Sequence, residues 1–188
     1  MSQSELLKAV IDELNRAGVE YMLTGSLASS LQGEPRLTHD IDLVVAMDAA
    51  DADRIIEAFA SPDYYLSAAA AHDAVRTRRM FNLLDLREGD KVDFWLLTDD
   101  PFDRSRFSRR GQMTSQDLNL WVSSPEDTIL AKLRWAELSG GSEKQFGDAL
   151  RIYEVQRQNL DTGYIGKWAE KLGLKEIWDR LQGSAEPI

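Results

Sequence analysis

Three aspartates and one glycine–serine pair are the residues whose types and spacing can do chemistry. Asp40 and Asp42 flank Ile41. Side chains two apart on a strand share a face, so both carboxylates can converge on one site while Ile41 points into the core. Two ionised carboxylates held this close raise each other's proton affinity unless a cation lies between them, and a magnesium pair satisfies that need. Asp93, bracketed by Val92 and Phe94, has the same carboxylate-on-a-strand character. Gly25-Ser26 follows a short apolar run. At a helix start such a pair offers backbone N–H groups and a hydroxyl to phosphate oxygens, with the helix dipole adding attraction. Taken singly, Asp-Ile-Asp also fits an ordinary edge strand and Gly-Ser an ordinary turn. Their combination, with thirteen residues from Leu27 to His39 between Ser26 and Asp40, is what points to a metal and a phosphorylated ligand.

The elements that must position these residues can be read from hydrophobic periodicity. Leu6, Leu7, Val10, Ile11 and Leu14 fall on one face of a helix over Ser4 to Ala17, which Gly18 stops. Tyr21 to Thr24 reads as a strand that ends in Gly25-Ser26, and Leu27 to Leu31 as a short helix closed by Gly33. Ile41 to Ala46 is a compact apolar strand, followed by helical spacing from Asp48 to Phe59. Ala68 to Ala71 reads as helix. Met80 to Leu86 and Lys91 to Leu97 are two strands joined by a hairpin turn at Glu88-Gly89-Asp90, with Asp93 on the second. A further strand, Leu118 to Val122, precedes Ser124-Pro125-Glu126-Asp127, which has the form of an N-cap, a first-turn proline and acids facing the helix dipole.

Beyond that point the pattern is wholly helical: Thr128 to Leu138, Glu143 to Gln156, Asp161 to Leu172 and Lys175 to Leu181. The composition shift near Ser123 predicts a core over residues 1–123 and a C-terminal helical subdomain over 124–188 packed on it. A length of 188 residues suits that arrangement.

Composition removes several classes of chemistry. There is no cysteine, so disulfides, thiolate nucleophiles, iron–sulfur clusters and thiolate zinc sites are excluded. Two histidines, His39 and His72, are too few for a histidine-rich metal centre. Abundant carboxylates favour hard, oxygen-liking cations instead. No apolar run approaches the roughly 20 residues of a membrane span, and the N-terminus lacks the form of a secretory signal, so a cytoplasmic protein is expected. A net charge of −10 weighs against broad attraction to a nucleic-acid backbone. Arg76, Arg78 and Arg79, with Arg104, Arg106, Arg109 and Arg110, are the candidates for a local basic patch, although the acids beside them also fit a solvated mixed-charge surface.

These residues resemble the nucleotidyltransferase-fold superfamily. Its signature is an apolar residue, Gly, Gly or Ser, a spacer, and then Asp-apolar-Asp-apolar, matched here by Leu23-Thr24-Gly25-Ser26 and Asp40-Ile41-Asp42-Leu43. The segment from Ser124 to Trp135, with Gln145-Phe146-Gly147-Asp148 and Ile152, is similar to the bacterial AbiEii-like and related uncharacterised branch. The resemblance implies an α/β (α+β) fold in which a small mixed sheet is flanked by helices, with a C-terminal helical extension.

It also implies that Asp40 and Asp42 bind Mg2+ or Mn2+, and that Asp93 completes the site and helps deprotonate an acceptor hydroxyl. Gly25 and Ser26 would contact the triphosphate of a nucleotide. Lys132 would reach the phosphates, its alternative being a solvated helix lysine. Arg36 would pair with phosphate oxygens, or else contact Asp40 or Glu34. Asp148 would be structural. The implied reaction is transfer of a nucleoside monophosphate from a nucleoside triphosphate to an acceptor hydroxyl on a protein, a tRNA end or a small molecule. A toxin held in check by an antitoxin partner is one version of it. The alternative is a non-catalytic nucleotide-binding or protein-interaction module.

Overall fold

The computed structural model describes residues 2–35, 37–115 and 117–186. In chain order the elements are α1 (Gln3–Ala17), β1 (Glu20–Thr24), α2 (Gly25–Gln32), β2 (Asp40–Ala46), α3 (Ala49–Ala58), β3 (Tyr64–Leu66), α4 (Ala68–Thr77), β4 (Met80–Asp85), β5 (Lys91–Leu96), α5 (Pro101–Ser108), β6 (Gly111–Ser115), β7 (Leu118–Val122), α6 (Pro125–Leu138), α7 (Glu143–Gln156), α8 (Thr162–Lys171) and α9 (Lys175–Ser184). Among the described residues no helix is long and apolar enough to cross a membrane.

The chain divides into two compact units, one of residues 1–24 and 38–122, the other of residues 25–37 and 123–188. The first holds a seven-stranded mixed sheet in the order β3-β4-β5-β2-β1-β7-β6. Strands β2 and β5 run parallel, as do β1 and β7, and the other neighbours are antiparallel. Alternation along the central strands gives two faces. Ile41, Leu43 and Val45 of β2, Val92, Phe94 and Leu96 of β5, and Phe81 and Leu83 of β4 are buried on one of them. There Phe81 and Phe94 stack with ring centroids 4.8 Å apart. The other face carries Asp40, Asp42, Lys91 and Asp93 at the intervening positions. Helix α1 buries the apolar stripe expected of it, is capped by a Ser2–Glu5 capping box, and ends at Gly18 in the left-handed conformation.

Three elements escape the periodicity. β3 and β6 are short edge strands with no clean apolar alternation. Helix α5 has a weakly amphipathic, arginine-rich sequence, yet Asp100 accepts hydrogen bonds from the Phe102 and Asp103 amides and Pro101 occupies the first turn. Those are start signals that the surrounding charge obscures.

In the second unit, helix α2 packs with α6 and α7. The Gln32 side-chain amide donates to the Ser123 carbonyl at 2.5 Å, and the Gln156 side-chain amide donates to the Gln32 carbonyl at 2.9 Å. Gly33 lies so close to α7 that an added Cβ would stand 3.1 Å from the Ile152 amide nitrogen. These contacts group residues 25–37 with the C-terminal helices, whereas a boundary drawn at Ser123 alone leaves them with the strands that surround them in sequence. Ser124 caps α6 by accepting from the Asp127 amide, with Pro125 in the first turn, as the sequence predicts. Asp127 in turn accepts from the Tyr164 hydroxyl at 2.7 Å, and Glu126 accepts from the Asp161 amide at 3.0 Å, which ties α8 to the start of α6.

Candidate active site

In the first unit the parallel pairing of β2 with β5 matches Asp42 with Asp93 and Asp40 with Lys91. Register partners on adjacent strands project to the same side, so three carboxylates and one ammonium share a single face. The row through Asp42 and Asp93 continues outward to Thr24 of β1 and Asn82 of β4, making four consecutive polar residues across four strands. One residue further along each strand the side chains turn to the apolar core.

Burial separates Asp40 from Asp93. The Asp40 carboxylate is 57% exposed, whereas that of Asp93 is 9% exposed. Lys91 Nζ lies 2.9 Å from Asp93 Oδ2 and 3.5 Å from Asp40 Oδ1, bridging the two strands. Its ammonium is held above the usual lysine range, first by the hydrogen bond to Asp93 and then, against the opposing effect of burial, by attraction to Asp93 and Asp40. The Trp95 indole N–H donates to Asp42 Oδ1 at 3.2 Å and orients that carboxylate. Asp93 Oδ1 is buried with no hydrogen-bond partner among the described residues.

That orphaned oxygen bears on whether a metal fits. A buried carboxylate oxygen without a donor is costly and is relieved by a cation. The donor set is all oxygen, which suits magnesium or manganese. Lys91 already places a positive charge between two of the acids. Among the described residues no three acids or histidines stand close enough together to hold a metal ion as they are placed, so the fit rests on the orphaned Asp93 oxygen and the all-oxygen donor set. The residues present fit a divalent cation on those terms.

The second unit brings another set together. Gly25 adopts φ 67°, a conformation that a glycine takes at little cost, and opens α2. Lys132 Nζ lies 3.5 Å from Ser26 Oγ and 2.7 Å from Asp148 Oδ2. The lysine is 4% exposed, so it is not the solvated helix residue that its position on α6 also allowed. Asp148 pairs with it. Arg36 lies outside the described residues.

Lys91, Trp95, Thr24 and Asn82 have no place in the site predicted from the sequence. The period-two pattern Lys91-Val92-Asp93-Phe94-Trp95 carries the signal for the first two, since it places Lys91 and Trp95 on the face of Asp93. Thr24 and Asn82 are identified by register alone.

The family whose model matches this chain is that of aminoglycoside-2''-adenylyltransferase, over residues 6–95, just under half of the chain. No curated protein matches it. Among solved structures, an antigenic nucleotidyltransferase-like protein from Paracoccidioides brasiliensis is similar at 16% identity and a TM-score of 0.58, covering 100% of this chain and 96% of that one. ANT(2'')-Ia, in complex with adenylyl-2''-tobramycin, is similar at 11% identity and a TM-score of 0.60, covering 92% of this chain and 98% of that one. The lincosamide antibiotic adenylyltransferase LnuA, lincomycin-bound, is similar at 16% identity and a TM-score of 0.56, covering 82% and 98% respectively. At these identities the likeness shows the fold, and the fold is that of the nucleotidyltransferases.

Proposed function

We propose that this chain, which carries the nucleotidyltransferase fold, is a divalent-metal-dependent nucleotidyltransferase that moves a nucleoside monophosphate from a nucleoside triphosphate to a hydroxyl of a small-molecule acceptor. The observation that carries this reading is the pairing of Asp42 with Asp93 on adjacent parallel strands, with Asp40 on the same face and Asp93 Oδ1 unsatisfied. A fold alone would not license it. The small-molecule acceptor draws its support from the matched family, from a similar structure named as a lincosamide antibiotic adenylyltransferase, and from another that holds adenylyl-2''-tobramycin.

Each residue then has a task. Asp40, Asp42 and Asp93 would hold Mg2+ or Mn2+, which when bound supplies charge neutralisation on the phosphates and a lowered pKa for the acceptor hydroxyl. Trp95, through its hydrogen bond, keeps the Asp42 carboxylate turned outward on its strand. Gly25, Ser26 and Lys132 bind phosphate oxygens: Gly25 by its backbone at the start of α2, Ser26 by its hydroxyl, and Lys132 by a charge already held beside Ser26. Asp93 accepts the acceptor's hydroxyl proton. The acceptor oxygen forms a bond to the α-phosphorus as the bond from that phosphorus to the bridging oxygen breaks, and pyrophosphate leaves with the electron pair.

The test is label transfer from each of the four α-labelled nucleoside triphosphates, with Mg2+ or Mn2+, to a panel of hydroxylated small molecules. The wild type transfers label to at least one acceptor and Asp42→Asn transfers it far more slowly. Equal transfer by both proteins, or none by the wild type across every combination, contradicts the proposal.

A further inference from the structure

Two residues along β2 from Asp42, on the same face, Val44 forms the floor of a second feature of the first unit. The row paired with Val44 runs to Trp95 of β5 and Met80 of β4, about 7 Å from the row of carboxylates. Over it lies a pocket of about 390 Å³ lined by Val44, Met80, Trp95, Thr98 and Asp103, and by three arginines: Arg78, Arg79 and Arg106. Trp95 belongs to both features, because its indole N–H donates to Asp42 Oδ1.

The charges in this pocket are unbalanced. Its one lining carboxylate, Asp103, is already engaged, accepting from Arg106 at 2.9 Å and from the Thr98 hydroxyl at 2.5 Å. Arg106 Nε is buried with no acceptor among the described residues, a costly state for a charged donor. Nearby Asp99 is held below the usual carboxylate range chiefly by its hydrogen bond to Arg104, with a smaller attraction to Arg78. Arg78 adds a second oddity. It ends α4 in the left-handed conformation, φ 55° and ψ 42°, a position that favours glycine. Arg79 is pinned beside it, its carbonyl accepting from the Leu96 amide at 2.9 Å.

We propose that this pocket is the acceptor site and that the acceptor carries an oxyanion, a phosphate or a carboxylate, held by Arg78, Arg79 and Arg106. The chemical class is therefore an anionic hydroxyl compound and not a polycationic antibiotic, since three guanidiniums facing a ligand repel ammonium groups and pair with oxyanions in a fork geometry. The anion binds over the Val44 row while the acceptor's hydroxyl reaches the Asp42–Asp93 row. As an assignment of an acceptor, this rests on the nucleotidyltransferase reading; as an assignment of an anion site, it does not.

The experiment titrates the protein, without nucleotide or metal, with inorganic phosphate and separately with tobramycin, following the Trp95 indole resonance by nuclear magnetic resonance. Assignment of that resonance comes from Trp95→Phe. Phosphate moves it saturably, and Arg78→Gly combined with Arg79→Ala weakens binding by about tenfold or more. Arg78→Gly relaxes the backbone at that site, so the loss arises without a folding defect, which an unchanged or raised melting temperature verifies. Ser26→Ala leaves the phosphate response intact, and tobramycin gives no saturable shift. Absence of a phosphate shift overturns the proposal. So does a shift abolished by Ser26→Ala and untouched by the arginine changes, and so does saturable tobramycin binding at Trp95. Because no turnover is involved, a failure here is distinct from a failure of label transfer.

Discussion

Asp42 and Asp93 stand abreast on two adjacent parallel strands, each the register partner of the other, with Lys91 bridging Asp93 to Asp40. Replacing Asp42 by Asn removes one charge of this row while keeping its shape and an acceptor for the Trp95 indole. The change lowers nucleotidyl transfer by about 10²–10³-fold. It leaves melting temperature unchanged or raised, because it relieves repulsion between neighbouring acids. Parallel transfer assays and thermal melts check both effects.

Lys91 acts as an internal counter-ion. In Lys91→Met the buried Asp93 carboxylate loses the cation 2.9 Å away. The variant is less stable than wild type in the presence of a chelator. Divalent metal then stabilises it more than it stabilises the wild type, because the ion no longer competes with an ammonium. Thermal melts with and without Mg2+ measure the difference. An identical metal-induced shift in both proteins would count against the bridge.

Lys132 and Asp148 are a buried pair, their side chains 5% and 10% exposed. Lys132→Ala strands Asp148 and costs about 3–5 kcal/mol of stability. The double change Lys132→Met with Asp148→Leu recovers most of that loss, since it removes both charges and restores apolar volume. Nucleotide binding stays weak in both variants. Urea unfolding separates the structural effect from the functional one.

Acid sensitivity has a source away from the site. Asp85 is buried at the end of β4, and its carboxyl lies below the ordinary range chiefly because the Arg87 side chain donates to it, at 2.9 Å from Nε. A carboxyl whose folded pKa is depressed contributes stability that is fully present above its ordinary value of 3.8 and is lost as pH falls through the folded value. Asp85→Asn therefore lowers stability at neutral pH, by about 1–3 kcal/mol, and flattens its decline below pH 4. Unfolding free energies measured from pH 7 down to pH 3 show the convergence of the two proteins.

Much of this could be read from the residues. Strand patterning placed Asp40, Asp42 and Asp93 on strands, and helical spacing identified α1, α3 and the four C-terminal helices, with a stop at Gly18 and a cap at Ser124. Local pattern does not encode which strand lies beside which, so the partnership of Asp42 with Asp93 and the row reaching Thr24 and Asn82 required the sheet. Lys91 opened a predicted strand and carried no signal of its ion pair with Asp93. The arginines of α5 read as a charge run because their helix is weakly amphipathic, and the pocket over Val44 needs α5 folded against β2 and β5. The grouping of α2 with the C-terminal helices depends on long-range bonds such as Gln32 to Ser123, which no window of sequence contains. Burial of Lys132 has the same cause: its partner is sixteen residues away, on the next helix.

The central claim is that the Asp40–Asp42–Asp93 face holds a divalent ion together with a nucleotide. Electron paramagnetic resonance of Mn2+ tests it most directly, in the presence of a non-hydrolysable nucleoside triphosphate analogue. Wild-type protein takes up the ion stoichiometrically and nucleotide tightens its binding, while Asp42→Asn and Asp93→Asn reduce the affinity by about tenfold or more. Equal Mn2+ affinity in all three proteins, or nucleotide binding that is indifferent to metal, would contradict the assignment.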